Sequence, residues 1–196
     1  SDVYKRQAVR DRLVAAMKPV YTVTDGSLNL FCYRSGTLKA WNRYAMQCRG
    51  AVVDLHGERL LVRPYDKFFQ LDEIAGWRRE DFAGQEADEI VEKVDGSLVS
   101  LFRHDGALRF VTKGRFDAEA SGEAARLAEG YRMESLDLDR WDHVFELVSP
   151  AGRFPAGFTS VLYDRPALVL IGMRCRKSGE MADYTTIEAT AAAAGM

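Results

Sequence analysis

The 196-residue chain is short of cysteine and histidine and carries no excess of either charge, and each shortage closes off a class of explanation. Three cysteines, Cys32, Cys48 and Cys175, are odd in number and far apart. They suit reduced thiols of a cytosolic protein better than a disulfide framework, and their spacing is not that of a zinc site. The histidines His56, His104 and His143 are scattered, with no partner at catalytic spacing. Lysine and arginine number 27 against 29 acidic residues, a net charge of -2, which excludes a grip on nucleic acid through bulk positive charge. A polyanion site must instead come from local clustering of cations. No apolar run approaches the length of a membrane span, and the N-terminus lacks a signal-peptide core. Together these absences point to a soluble cytoplasmic protein with no membrane partner.

What is present is an ordinary globular composition, 47% hydrophobic and 29% charged, enough for one domain with a substantial core. Val9, Leu13, Val14 and Met17 recur at helical spacing over residues 7–17, and Pro19 stops the pattern. Leu28 to Tyr33 reads as a strand, with turn residues at Asp25-Gly26 before it and Ser35-Gly36 after it. Two strands, 51–55 and 59–63, flank a His56-Gly57 turn. Residues 72–88 are a mixed, acidic connector. Strands are then expected on both sides of Asp95-Gly96, with Asp105-Gly106 as a second tight turn leading into residues 108–112. Alanines in 117–130 suggest a helix closed by Gly130. Residues 143–148, 161–163 and 167–173 read as strands, the last so continuously apolar that a central position is expected. Thr185 to Glu188 fits a capping box for a terminal helix. The hairpin signals make the fold α+β, mainly antiparallel sheets with flanking helices.

The stretch Glu92-Lys93-Val94-Asp95-Gly96-Ser97 carries the chemistry. In a strand, Lys93 and Asp95 share one face, so an amine and a carboxylate point together. Gly96 lets the backbone bend and a ligand approach it. The same residues are equally what a plain hairpin would use. Glu146 stands between two pairs of apolar residues in 143–148, and a carboxylate in a largely buried strand is uncommon unless paired, metal-bound or used. Lys67, beside two phenylalanines, can be a snorkelling surface residue or a ligand.

Taken in order, Cys48-Arg49-Gly50, Arg63-Pro64-Tyr65-Asp66-Lys67-Phe68-Phe69, Lys93-Val94-Asp95-Gly96, Thr112-Lys113-Gly114, Phe145-Glu146-Leu147-Val148-Ser149-Pro150 and the strand Leu168 to Arg174 resemble the ATP-dependent RNA ligase family. The likeness is to the phage-type strand-repair enzymes of the covalent nucleotidyltransferase superfamily. It spans about residues 49–180. The resemblance implies a ligase adenylylation domain, ATP-grasp-like, that uses ATP and Mg²⁺. It implies Lys93 as the nucleophile forming a lysyl-adenylate, and Arg49, Lys67 and Lys113 as phosphate ligands. Glu146 would meet the ribose or, indirectly, a metal ion, while Asp95 and Gly96 shape the nucleotide pocket and Glu92 meets adenine through its backbone. The partners implied are RNA ends, a 5′-phosphate and a 3′-hydroxyl, handled by a monomer. A Glu-Gly and a Lys-x-Lys motif normally follow in that family, and neither is found before Met196. The expectation is therefore one incomplete domain over 1–196, with a helix-and-strand portion in 1–48, the core in 49–180 and the start of a truncated helix in 181–196. A DNA-joining or capping-type nucleotidyltransferase shares the Lys-x-Asp-Gly core. A non-catalytic module that binds nucleotide or RNA ends would share the scaffold.

Overall fold

The computed structural model describes residues 11, 15, 20–33, 41–87, 89–150, 161 and 163–196. Apart from Asp11 and Ala15, the expected helix over 7–17 lies outside them, as does the Ser35-Gly36 turn.

Among the described residues, eight strands form two antiparallel four-stranded sheets. The first is a meander of β1 (Val20–Asp25), β2 (Leu28–Tyr33), β3 (Val52–Asp54) and β4 (Arg59–Val62). The second has the order β6-β5-β7-β8, from β5 (Ser97–His104), β6 (Ala107–Thr112), β7 (Trp141–Val148) and β8 (Ala167–Cys175). Local chemistry explains most of the turns. Asp105 and Gly106 both have positive φ, 49° and 78°, the conformation that joins two strands with the fewest residues. Gly26 does the same for β1 and β2 at φ 59°.

Besides the helical Asp11 and Ala15, the described residues hold three α-helices. The short α1 (Arg43–Gln47) starts at Asn42, whose side chain accepts from the amides of Tyr44 and Ala45. In α2 (Glu119–Ala128), Ala120, Ala124 and Ala128 recur every fourth residue and are buried, which lays one small-residue stripe against the second sheet. The terminal helix is α3 (Tyr184–Ala194), closed by Gly195 in the left-handed region at φ 80°.

The second sheet is the centre of the molecule because both its faces are covered. Val99, Leu101, Phe110, Phe145, Leu147, Leu168 and Leu170 pack with α2 and α3. From the opposite face, Phe102 and Val111 join Leu28, Leu30, Val52, Leu61 and Val62 of the first sheet. Alternation along β5, β7 and β8 leaves Leu98, Glu146 and Ile171 on that second face but beyond the reach of the shared core. A cavity opens there.

Four expectations need correction. Asp95-Gly96 is not a hairpin turn: residues 89–95 are irregular and β5 begins at Ser97, because Gly96 is bonded to Glu146 of β7 rather than to a strand before it. Val161 and Tyr163 lie in no strand. The apolar run 167–173 is an edge strand, its outer side covered by the chain around Pro64 to Asp66 and by a bridge from Arg174 to Met181. A continuous apolar run reports burial on both faces, not rank in the hydrogen-bond order. The cap of α3 is Asp183, which accepts from Thr186 N at 2.7 Å, and not Thr185.

Candidate active site

Four pieces of chain meet at the cavity, and each is delivered by a local device. At the start of β3, Gly50 has φ 78°, and a Cβ there would lie 3.3 Å from both the Lys113 backbone and the Pro64 ring. The positive φ and the close approach both favour glycine here, and that closure brings Arg49 and Lys113 to one cavity. After β6, the Thr112 hydroxyl accepts from the amides of Gly114 and Arg115, forming a tight turn that carries Lys113. From β7, Glu146 Oε1 accepts from the Gly96 amide at 3.0 Å. One residue earlier, the Asp95 amide donates to the Tyr163 hydroxyl at 2.9 Å. Consecutive amides next to Lys93 are therefore both held from outside the loop. Gly96 is required by close approach: a Cβ would stand 2.2 Å from the Leu147 carbonyl oxygen.

The cavity has a volume of about 900 Å³ and room for a nucleotide. Arg49, Glu92, Lys93, Gly96, Lys113 and Glu146 all line it. The other two expected site residues, Asp95 and Lys67, stand outside the lining. Asp95 is half-buried, and its charge is felt by Glu146. The strand argument that paired it with Lys93 does not hold, since that stretch is irregular. Lys67 donates to the Phe68 carbonyl and lies 4.1 Å over the Phe69 ring.

Electrostatics draw the same groups together. Burial pushes the Tyr33 phenol up, but Lys113, a hydrogen bond from Arg49, and the charge of Lys67 outweigh it and leave the pKa below its ordinary value. Three cations on three separate segments thus converge on one ring. Burial raises Glu146 above the usual carboxylate range, with Asp95 adding to it, while the Gly96 amide, Lys93 and Arg49 pull the other way. Arg49 is 8% exposed, sits 5.0 Å over the Phe68 ring, and its Nη1 is buried without a hydrogen-bond partner. A buried guanidinium nitrogen with an open donor beside a cavity suits an anionic ligand.

Sequence reasoning missed Tyr33, Tyr65, Phe68 and Ile171. Tyr33 ends β2 and announces nothing by itself. Tyr65 and Phe68 flank Lys67, and their aromatic character was the one available signal. Among the described residues no three His, Cys, Asp or Glu side chains cluster as a metal cage. Glu146, with Asp95 near it, fits a magnesium ion held by one or two carboxylates and completed by substrate phosphates.

This architecture is the nucleotidyltransferase fold of ATP-dependent ligases. A candidate ATP-dependent DNA ligase from Aquifex aeolicus superposes with a TM-score of 0.61 at 11% identity, covering 96% of this chain and 48% of the other. A family model described as RNA ligase matches residues 47–194, and the chain belongs to that RNA ligase family. A candidate bifunctional polynucleotide kinase/RNA ligase of Autographa californica nuclear polyhedrosis virus is 23% identical over 179 residues. The match covers 80% of this chain and 25% of the viral protein, so the chain spans about a quarter of that relative and just under half of the solved structure. No helix among the described residues is long and apolar enough to cross a membrane.

Proposed function

We propose that this chain is the adenylylating core of an ATP-dependent RNA ligase. Lys93 Nζ, freed of its proton, attacks the α-phosphorus of ATP: a phosphorus–nitrogen bond forms, the bond to pyrophosphate breaks, and AMP stays on the lysine. AMP then passes to the 5′-phosphate of an RNA end, and a 3′-hydroxyl displaces it to seal the strand. The observation that carries this reading is Arg49, buried with an open Nη1 donor in the wall that also holds Lys93, Lys113 and Glu146.

The division of labour follows from charge. Arg49 and Lys113, with Lys67 whose charge also reaches Tyr33, neutralise charge that grows on the departing pyrophosphate. The apolar side of the cavity, with Tyr65, Phe68, Val91, Val94, Leu98 and Ile171, suits a base. Glu92 meets that base through its backbone, and Glu146, which also braces Gly96, faces the ribose. Glu146 and Asp95 would hold magnesium, whose charge offsets the phosphates and so helps Lys93 lose its proton.

Incubation with [α-³²P]ATP and Mg²⁺ tests the scheme. The denatured wild-type chain retains label, EDTA prevents this, and Lys93→Ala carries none. Label that persists in Lys93→Ala sinks the assignment of the nucleophile. A chain that binds ATP and never retains label is a binding module. Offering 5′-phosphorylated RNA and DNA ends to the labelled protein then separates RNA joining from DNA joining.

A further inference from the structure

Residues 63–70 belong to no strand, yet they supply Tyr65 and Phe68 to the cavity and carry Lys67. Such a segment has no ladder to fix it, so its position depends on side-chain bonds. Two of these come from one residue on β8. The Arg174 side chain, 9% exposed, uses its guanidinium in three directions. Nε donates to the Pro64 carbonyl at 3.1 Å, Nη2 to Asp66 Oδ1 at 3.1 Å, and Nη1 to the Gly179 carbonyl at 2.6 Å. Arg63 Nη2 grips the same Asp66 carboxylate at 3.0 and 3.2 Å. Three residues back along β8, the Ile171 carbonyl accepts from the Tyr65 hydroxyl at 2.5 Å. The hydroxyl lies where a Cβ on Gly172 would come within 2.0 Å of it. Tyr65 is therefore pinned at its tip and on both sides of its backbone, and the Lys67 amide closes the segment by donating to the Met46 carbonyl at 2.8 Å.

We propose that Arg174 is a positioning residue for nucleotide binding: its three-way guanidinium bonding fixes Pro64 to Asp66 and thereby sets the Tyr65–Phe68 wall that an incoming nucleotide meets. Arg174 does not line the cavity, so it acts only through the segment it holds. The assignment rests on the cavity being the nucleotide site. A planar fork of donors is needed, because a lysine ammonium at the same place cannot span two carbonyls and a carboxylate.

The test uses Arg174→Lys, Asp66→Asn and the double variant in the full chain, with two readouts. One is the ATP dependence of Lys93 labelling. The other is hydrogen exchange of the peptide covering 63–70 against peptides of β5 and β7. With charge-assisted bonds lost, the ATP concentration for half-maximal labelling rises about tenfold. The rate at saturating ATP changes little, and exchange accelerates in 63–70 alone. The double variant loses less than the sum of the two single losses, since the Arg174–Asp66 contact is shared while Pro64, Gly179 and Arg63 are held separately. Unchanged ATP dependence with unchanged exchange overturns the proposal, as does equal acceleration across the whole chain, which marks Arg174 as a general structural prop. If wild type takes no label, the adenylylation reading fails. Exchange at 63–70 then decides the positioning role by itself, and an unaltered peptide rejects it.

Discussion

At the scale of single residues, the site is a place where stability is spent on function. Glu146 shows this most directly. Burial holds its pKa above the ordinary carboxylate value, so the folded state binds its proton more tightly than the unfolded chain does. Its ionised form is therefore a cost at neutral pH, and that cost disappears as pH falls below the unfolded carboxylate pKa. Glu146→Gln keeps an oxygen for the Gly96 amide and removes the charge. The variant is expected to unfold at a higher midpoint than wild type at pH 7, with no difference near pH 3, while losing Lys93 labelling; thermal melts across that range check it. Gly96 is constrained by space instead. Gly96→Ala must drive a methyl into the Leu147 carbonyl, which cannot swing away because it belongs to β7. A loss of about 3 kcal/mol in urea unfolding is expected, and a loss under about 1 kcal/mol would show that the close approach is relaxed in solution.

At the scale of elements, irregular stretches do what strands alone cannot. The segments 63–70 and 89–96 carry Tyr65, Lys67 and Lys93, and both are held by side chains from the second sheet: Arg174 and Glu146. Glu89 ties the second segment to α3 as well, accepting from the Tyr184 amide at 2.9 Å. The first turn of α3 is thus served by Asp183 from its own cap and by Glu89 from the Lys93 segment. Asp183→Ala is expected to lower the melting temperature and to raise hydrogen exchange at Thr186, because the Thr186 amide loses its acceptor. Thr185→Ala leaves both unchanged. An opposite ranking of the two variants would restore the capping box at Thr185.

At the scale of the whole molecule, the second sheet is shared by two cores, and a buried histidine sits within it. His143 is fully buried on β7 and stacked against Phe145. Burial pushes its pKa down to about 4, against 6.5 for a histidine in water. Between those values the unfolded chain binds a proton that the folded chain refuses, so stability falls as pH drops from about 6.5 toward about 4, by about 3 kcal/mol in all. At higher pH the residue has no effect. His143→Phe removes the titration, and urea midpoints measured from pH 7 to pH 4 are expected to decline less steeply than in wild type. Parallel curves would assign the acid sensitivity to other groups.

How much of this was legible in the chain depends on the range of the interaction. The hairpin at Asp105-Gly106, the turn at Asp25-Gly26, the strand Leu28 to Tyr33 and the alanine stripe of α2 were written locally, because turn residues and apolar periodicity act over a few positions, whereas the strand Val20–Asp25 was not read. Order along the chain was enough to point to the ligase family, since each motif owes its residues to the ligand it meets. What only the tertiary structure decided is which of those residues reach the cavity. Lys67 and Asp95 fall outside its lining, Tyr33, Tyr65, Phe68 and Ile171 come into play, and β8 lies at an edge. Each of these turns on contacts between segments tens of residues apart, such as Gly50 against Lys113 or Arg174 against Asp66, and no periodicity within either segment encodes the partner it will meet.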